Sequence, residues 1–394
     1  MTDSIHYGRL NPPERTLLGP DLSNPSPRAR QGLIAILEGA TDPSFLKVME
    51  EALALLRHLW GTENRDTYII PGSEETALEA ALFNLLQPGD TAVIAVTGYF
   101  GERMAQTIER LGANAVRVSP EPGRAPSKDA LEQALQQHRP ELLAVLHGDG
   151  ATGVQQPLEE LGAIAHRYDS LLLVDARWTL GALDLQLDEW GIDVCIAGSQ
   201  KAMSAYPGLG LITFSSRAAA AYEKREAPVT SRSLDLAHLR QFRSDERAIQ
   251  TMPAPILYAF TEMLQLAYEQ DMPYRIQRHV NRRDALVLGL QELGLNIYAD
   301  PDFRLPTVTA VRVPEQIDQE DVRDRLRRPY RIDIGGGLGE LHGQVWRVGV
   351  MSHSAQPTFL LAFLTLLEII LQELGHPIRE PGAAARTLLA NLDP

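Results

Sequence analysis

The chain is predicted to be an α/β protein, with a large domain on a mostly parallel sheet followed by a smaller C-terminal α+β domain. Two features carry this reading. From residue 67 to about 215, short apolar runs alternate with amphipathic helical stretches. Continuous apolar strands joined by crossover helices give a parallel sheet covered on both faces. Beyond residue 284 the pattern changes to two apolar strands set among helices. At 394 residues the chain is long enough for a sizeable core and more than one domain.

Each element has its own justification. Residues 1–22 are Pro-rich and aperiodic, an arm punctuated by Pro12-Pro13 and Gly19-Pro20. Ser26-Pro27 opens a helix running to about 37. Over 43–60, Leu46, Met49, Ala52, Leu53, Leu56 and Leu59 recur near helical spacing. Strands are expected over 67–70, 92–96, 115–118, 142–146, 171–174, 194–197 and 210–214. Helices are expected over 74–86, 102–111, 128–137 and 157–168. A less regular region, 216–256, precedes a long helix over 256–293 that is interrupted near Pro273. Strands over 307–313 and 345–350, a helix over 320–326 and a last helix from Pro357 complete the smaller unit. The tail after Gly382 is expected to be loosely ordered. The domain division is an arm to residue 22, a large domain over 23–283 and a small domain over 284–394.

Composition narrows the function. Lys plus Arg number 37 against 51 Asp plus Glu, a net charge of −14. This acidic balance argues against nucleic-acid or anionic-membrane binding, which wants a basic face. A single cysteine, Cys195, within an apolar run reads as buried filler and fits a reducing compartment. No apolar stretch is long enough for a membrane span, and Met1-Thr-Asp-Ser-Ile-His6 has no signal-peptide character. A cytoplasmic protein is expected. The histidines and cysteine fall into no metal-ligand spacing, and neither a P-loop nor a serine elbow is present.

The chemistry gathers at strand ends. Lys201 closes Gly198-Ser-Gln-Lys201 between two apolar strands, where poor solvation lowers its pKa and favours the neutral, nucleophilic amine. Asp175 ends the apolar run Leu171-Leu-Leu-Val-Asp175. Together they suit pyridoxal phosphate, the lysine for its aldehyde and the aspartate for its pyridinium nitrogen. Gly72-Ser73, the 147–152 stretch, Asp175 and Lys201 all follow strands, which in a parallel sheet places them on one edge. Arg347 sits in the apolar run Val345-Trp-Arg-Val-Gly349 and wants a carboxylate, either a ligand's or one of the chain's own. His147 at a strand end reads as a hydrogen-bonding residue rather than a catalyst.

The chain resembles the class V aminotransferases of fold type I, in particular the alanine–glyoxylate (serine–pyruvate) branch. The likeness rests on motifs in order along nearly the whole chain. They include Leu17-Leu-Gly-Pro20 with Ser23-Asn24, Gly72-Ser73, Ala77-Leu-Glu-Ala-Ala81, Pro88-Gly-Asp90, Gly101-Glu-Arg103, His147-Gly148, Thr152-Gly-Val154, Val174-Asp175, Gly198-Ser-Gln-Lys201, Leu305-Pro-Thr307, and Gly336-Gly-Leu-Gly339 with Arg347. The resemblance implies a fold-type-I pyridoxal 5′-phosphate enzyme moving an amino group between a small amino acid (alanine, serine) and a small 2-oxo acid (glyoxylate, pyruvate). It further implies a homodimer whose N-terminal arm crosses to the partner. Lys201 then forms the imine and carries the proton, Asp175 holds the ring nitrogen, and Arg347 takes the α-carboxylate. Phe100 aligns with an aromatic that stacks on the ring, although core filling explains it nearly as well. Ser73, Thr152 and Gln200 fall among the polar contacts to the cofactor, and Thr251 in a stretch reaching the neighbouring subunit's phosphate.

Several positions depart from that pattern. Glu74 and Glu75 stand in the phosphate cup, at the start of a helix whose dipole they suit but where they repel a dianion. Ala151 and Ala248 replace polar contacts, and Arg177 replaces a small apolar residue beside the ring. Arg177 is open to three roles: neutralising Glu74 or Glu75, taking a substrate acid, or filling the ring's place. The alternative function is therefore a divergent member, either a lyase or biosynthetic enzyme of this fold or a non-catalytic small-molecule or protein-binding scaffold.

Overall fold

Strands form where side chains are apolar at every position, because both faces of the main sheet are buried. A computed structural model describes residues 12–35, 37–39, 41–244 and 251–392. In chain order its strands are β1 (Thr16–Leu17), β2 (Asp66–Pro71), β3 (Thr91–Ala95), β4 (Asn114–Val118), β5 (Leu142–Leu146), β6 (Gly148–Asp149), β7 (Val154–Gln155), β8 (Leu171–Asp175), β9 (Val194–Gly198), β10 (Leu209–Phe214), β11 (Val308–Arg312), β12 (Ile332–Asp333), β13 (Gly335–Gly336) and β14 (Val345–Gly349). The main sheet has the order β2-β10-β9-β8-β5-β3-β4. β9, β8, β5, β3 and β4 run parallel, and β10 runs antiparallel to both its neighbours.

Alternate residues of each strand feed two cores. Val93, Val145, Val174 and Ala197 face one, with Trp60 and Phe260 from the covering helices. Ile94, Ala144, Leu173 and Ile196 face the other, with Leu78 and Met104. A third core surrounds the small sheet β11-β14-β13, built from Trp346, Val348, Phe363 and Leu364. Order β9-β8-β5-β3 brings the carboxyl ends of four strands to one edge, and the loops after them build the site.

Three expectations change in the structure, and a fourth is placed more finely. The helix expected over 157–168 begins only at Leu161, because Glu160 adopts a positive φ of 72°. The region 216–256 contains the helices Ser216–Glu223 and Leu236–Ser244. The interruption expected near Pro273 falls at Asp271, where φ is 61° and Ala254–Glu269 gives way to Met272–Glu292. The tail expected to be loose forms the helix Ala383–Asn391, with Ala384 and Leu388 in the third core. Its start is held by Glu368, whose Oε1 accepts from the Gly382 N–H at 2.7 Å. The arm also takes part in the fold: β1 pairs in parallel with β12, and Gly349 N–H donates to the Leu18 carbonyl at 2.7 Å.

Candidate functional site

The cup at the start of helix Glu74–Leu85 is set by local chemistry. Gly72 turns the chain out of β2 with φ 138°, where any Cβ would meet Thr76 Oγ1 at 2.4 Å. Ser73 caps the helix: its Oγ accepts from Glu75 N–H at 3.3 Å, while Thr76 Oγ1 accepts from Ser73 N–H at 3.1 Å. Glu74 and Glu75 occupy the first turn, and both turn into the site rather than out to solvent. Glu74 is buried, with Oε2 accepting from Gln200 Nε2 at 2.5 Å and Oε1 lying 3.4 Å from Lys201 Nζ. Glu75 meets Arg177 Nη1 at 2.5 Å and Arg103 at 3.5 Å.

Lys201 follows β9 in a buried turn, and Ser23 Oγ donates to its carbonyl at 2.8 Å. Its ammonium donates to the Asp21 main-chain carbonyl at 2.9 Å and lies 5.5 Å from the Trp178 ring centroid. Burial pushes its pKa below that of an ordinary lysine, against the pull of Glu74 and Asp21. Glu74 titrates below its usual range: burial raises it, but Lys201 and then Arg177 outweigh burial.

Asp175 ends β8, almost fully buried. It is already paired. Arg177 closes on it with Nε at 2.7 Å and Nη2 at 2.6 Å from Oδ2, and the Arg177 N–H donates to Oδ1 at 3.0 Å. The guanidinium, 3 % exposed, is flanked by two aromatics, its carbon 5.7 Å from the Phe100 centroid and 5.4 Å from that of Trp178. Phe100 and Trp178 themselves meet edge-on at 4.5 Å. Burial disfavours the guanidinium charge, but Asp175 and Glu75 override it and push the Arg177 pKa up. Of the three roles open to Arg177 in the sequence, the structure shows it neutralising Glu75, with its guanidinium between Phe100 and Trp178.

Arg347 projects from β14, with its Nε donating to the Gly336 carbonyl at 2.5 Å and Nη1 to that of Gly150 at 3.1 Å. Nη2 faces Asp21 Oδ2 at 3.5 Å, a carboxylate whose side chain is 63 % exposed. The sequence left Arg347 between an internal and a ligand carboxylate, and among the described residues it meets this loose internal one. Thr152 is buried in the loop after β5, its hydroxyl accepting from Val154 N–H at 3.4 Å. Ala151 N–H, beside it, donates to Asp149 Oδ1 at 2.7 Å. Thr251 is exposed. Ala248 lies outside the described residues.

Sequence reasoning missed three contributors. Asp21, in the arm, touches both Lys201 and Arg347. Trp178 donates its indole N–H to the Pro20 carbonyl at 3.1 Å and packs where a Cβ on Gly150 would come within 2.4 Å of it. Asp149 is fully buried and ties down the loop after β5. The only signal in the sequence was an acid among glycines in Gly148-Asp-Gly150.

A parallel sheet whose carboxyl edge carries a buried lysine, a strand-end aspartate and an arginine from a second unit defines a fold-type-I transferase. The chain belongs to the class V aminotransferases, enzymes that use pyridoxal 5′-phosphate, and the family model "Aminotransferase class-V" matches residues 40–340. It is 36% identical over 351 residues to alanine–glyoxylate aminotransferase of Rattus norvegicus, covering 88% of this chain and 85% of that protein. The crystal structure of alanine–glyoxylate aminotransferase from Nostoc sp. superposes with a TM-score of 0.91 at 36% identity, covering 94% of this chain and 98% of that one. Ureidoglycine–glyoxylate aminotransferase from Bacillus subtilis superposes with a TM-score of 0.94 at 32% identity, covering 97% and 99%.

The family's cofactor asks for a free carboxylate at its ring nitrogen, an open aromatic face for its ring, and uncharged donors around its phosphate. Here Asp175 is held by Arg177, the guanidinium lies against Phe100, and the cup presents Glu74 and Glu75. Gln200 Oε1 is buried without a hydrogen-bond partner, but as an acceptor it offers a phosphate nothing. As these residues stand, the cofactor does not fit among them.

Proposed function

We propose that this aminotransferase moves an amino group between a small amino acid such as alanine or serine and a small 2-oxo acid such as glyoxylate or pyruvate, as a cytoplasmic homodimer. The similarity to alanine–glyoxylate aminotransferases supports the substrate class. The observation that carries the reading is Asp21. A single residue reaches the Lys201 ammonium with its carbonyl and the Arg347 guanidinium with its carboxylate. The amine and the carboxylate anchor therefore face the same arm residue.

In this reading Arg347 holds the substrate carboxylate, fixed in direction by its bonds to Gly336 and Gly150. Lys201, buried and with its pKa lowered by burial, holds and moves the proton at the α-carbon. Trp178 and Phe100 keep water from that face. The net charge of −14 argues against a membrane or nucleic-acid surface as partner, and no helix of the described residues is long and apolar enough to cross a membrane.

The test is pyruvate formation from alanine and glyoxylate in the presence of pyridoxal phosphate. Turnover should be fastest with small donors and should vanish in Lys201→Ala. Protein that carries the cofactor yet transfers from no small amino acid would sink the reading. The Arg177–Asp175 pair favours a second reading, a scaffold that binds a small carboxylate at Arg347 without the cofactor. Wild-type protein that binds pyruvate but never takes up pyridoxal phosphate would decide for it.

A further inference from the structure

The three groups that define the site each have a counter-ion drawn from the chain itself. Lys201 has Glu74, Asp175 has Arg177, and Arg347 has Asp21. The three pairs differ in strength. Asp21 is mostly exposed and stands 3.5 Å away, a contact a ligand displaces easily. Glu74 sits beside Lys201 without covering the ring's place. Arg177 is different: fully buried, bonded to Asp175 through two guanidinium nitrogens and its own backbone N–H, anchored on Glu75, and placed against Phe100 and Trp178.

A guanidinium is planar, cationic and a hydrogen-bond donor in its plane. A pyridinium ring is planar and cationic, with one N–H donor in its plane. Arg177 therefore offers Asp175 and Phe100 what the cofactor ring would offer them. We propose that Arg177 is a built-in rival of the cofactor ring, so that cofactor loading and the Arg177–Asp175 pair exclude each other. This rests on the aminotransferase reading, and it names what governs loading of that same site.

The rivalry has two consequences. The cofactor-free site is a finished structure: Lys201, Arg177 and Arg103 stand against Asp175, Glu74 and Glu75, three cations to three carboxylates. The apparent affinity for the cofactor is also reduced by the fraction of molecules in which Arg177 has left Asp175. Releasing a buried guanidinium from its carboxylate costs more than the about 1.4 kcal/mol that separates tenfold steps in affinity. Loading is thus expected to be weakened by more than about tenfold relative to the same site without the arginine.

Removing Arg177 alone would leave Glu74 and Glu75 less compensated and more repellent to phosphate. The charge-neutral variant Arg177→Met/Glu75→Gln avoids this. Pyridoxal phosphate is titrated into full-length wild-type and variant protein, read by tryptophan fluorescence and cofactor absorbance rather than by activity. A gain of more than about tenfold in affinity in the variant supports the proposal. Equal affinities overturn it and leave the aminotransferase reading standing. Uptake by neither protein overturns the cofactor-dependent reading, and the rivalry with it. A second measurement needs no cofactor: thermal melting of Arg177→Met, Asp175→Asn and the double variant. Strong coupling, with the double variant melting above the sum of the two single losses, is expected. Additive losses would show that Arg177 does not hold Asp175, and would also overturn the proposal.

Discussion

Replacing Arg347 by methionine tests the carboxylate anchor, and its size follows from the contacts. Two guanidinium nitrogens are held by the carbonyls of Gly336 and Gly150, so the third is aimed rather than free to search. What it meets is Asp21 Oδ2 at 3.5 Å, on a side chain 63 % exposed. Such a pair contributes about 0.2–1 kcal/mol. A substrate carboxylate hydrogen-bonded to the same buried cation gains about 1.5–3 kcal/mol, so the substrate wins over Asp21. Arg347→Met should therefore raise KM for the amino acid by about 10- to 150-fold. Arg347→Lys should fall between, since it keeps the charge and loses the fork. Asp21→Ala should act in the opposite direction and lower KM by no more than about fivefold. Steady-state kinetics at saturating cofactor and calorimetric titration with pyruvate read these changes. A melting curve guards against misfolding, because Gly336 and Gly150 lose their donor. An Arg347→Met protein that folds and keeps its KM would refute the assignment.

Three further outcomes are expected. Lys201→Met should destabilise the protein by about 3 kcal/mol, because it strands the buried Glu74 carboxylate, and Lys201→Met/Glu74→Gln should recover most of that on thermal denaturation. A single variant as stable as wild type would mean that Glu74 does not depend on Lys201. Gly150→Ala should cost about 1–3 kcal/mol and shift tryptophan fluorescence, since its methyl would overlap the Trp178 ring; unchanged spectrum and stability would count against this packing. Stability should also fall on mild acidification. Burial pushes His147 and His279 down to about 3. His279 is further held neutral because Nε2 accepts from Ser352 N–H at 3.0 Å, although the Nδ1 bond to the Arg275 carbonyl at 2.7 Å pulls the other way. Their folded pKa values lie below the unfolded value near 6.5, so the unfolded chain binds more protons between about 3 and 6.5. The stabilisation is complete above about 6.5 and is lost as pH falls towards 3, at up to about 1.4 kcal/mol per pH unit for each histidine. Urea midpoints at pH 6.5, 6 and 5.5 measure the slope, and His279→Gln should roughly halve it; an unaltered slope would assign the loss to other groups.

Much of this molecule was written in local pattern. The runs 142–146, 171–174 and 194–197 are apolar at every position, and only a strand buried on both faces uses such a run, so the sheet and its carboxyl edge followed. Ser73 before Glu74-Glu75-Thr76 carries its own helix start, because capping acts within four residues. Arg347 stood out for a similar reason, since a charge inside an apolar run is costly, whereas Lys201 and Asp175, at a turn and a strand end, stood out chiefly through the family resemblance.

What the partners are is a question of distance in space, and only the fold answers it. Helix Ala383–Asn391 has no side-chain cap of its own and begins on Glu368 from another helix, so the tail carried no local sign of order. Asp21 lies far along the chain from Lys201 and Arg347 and reaches both only because β1 pairs with β12 and lays the arm over the site. Arg177 had three roles open to it, each with a charged group at the right chemical distance. The fold brings Glu75, from the cup after β2, to the Arg177 guanidinium just past the end of β8. The sequence determined that charged groups meet at this edge. The tertiary structure decided which charge closes on which, because electrostatic and hydrogen-bond energies depend on a few ångströms that chain separation does not encode.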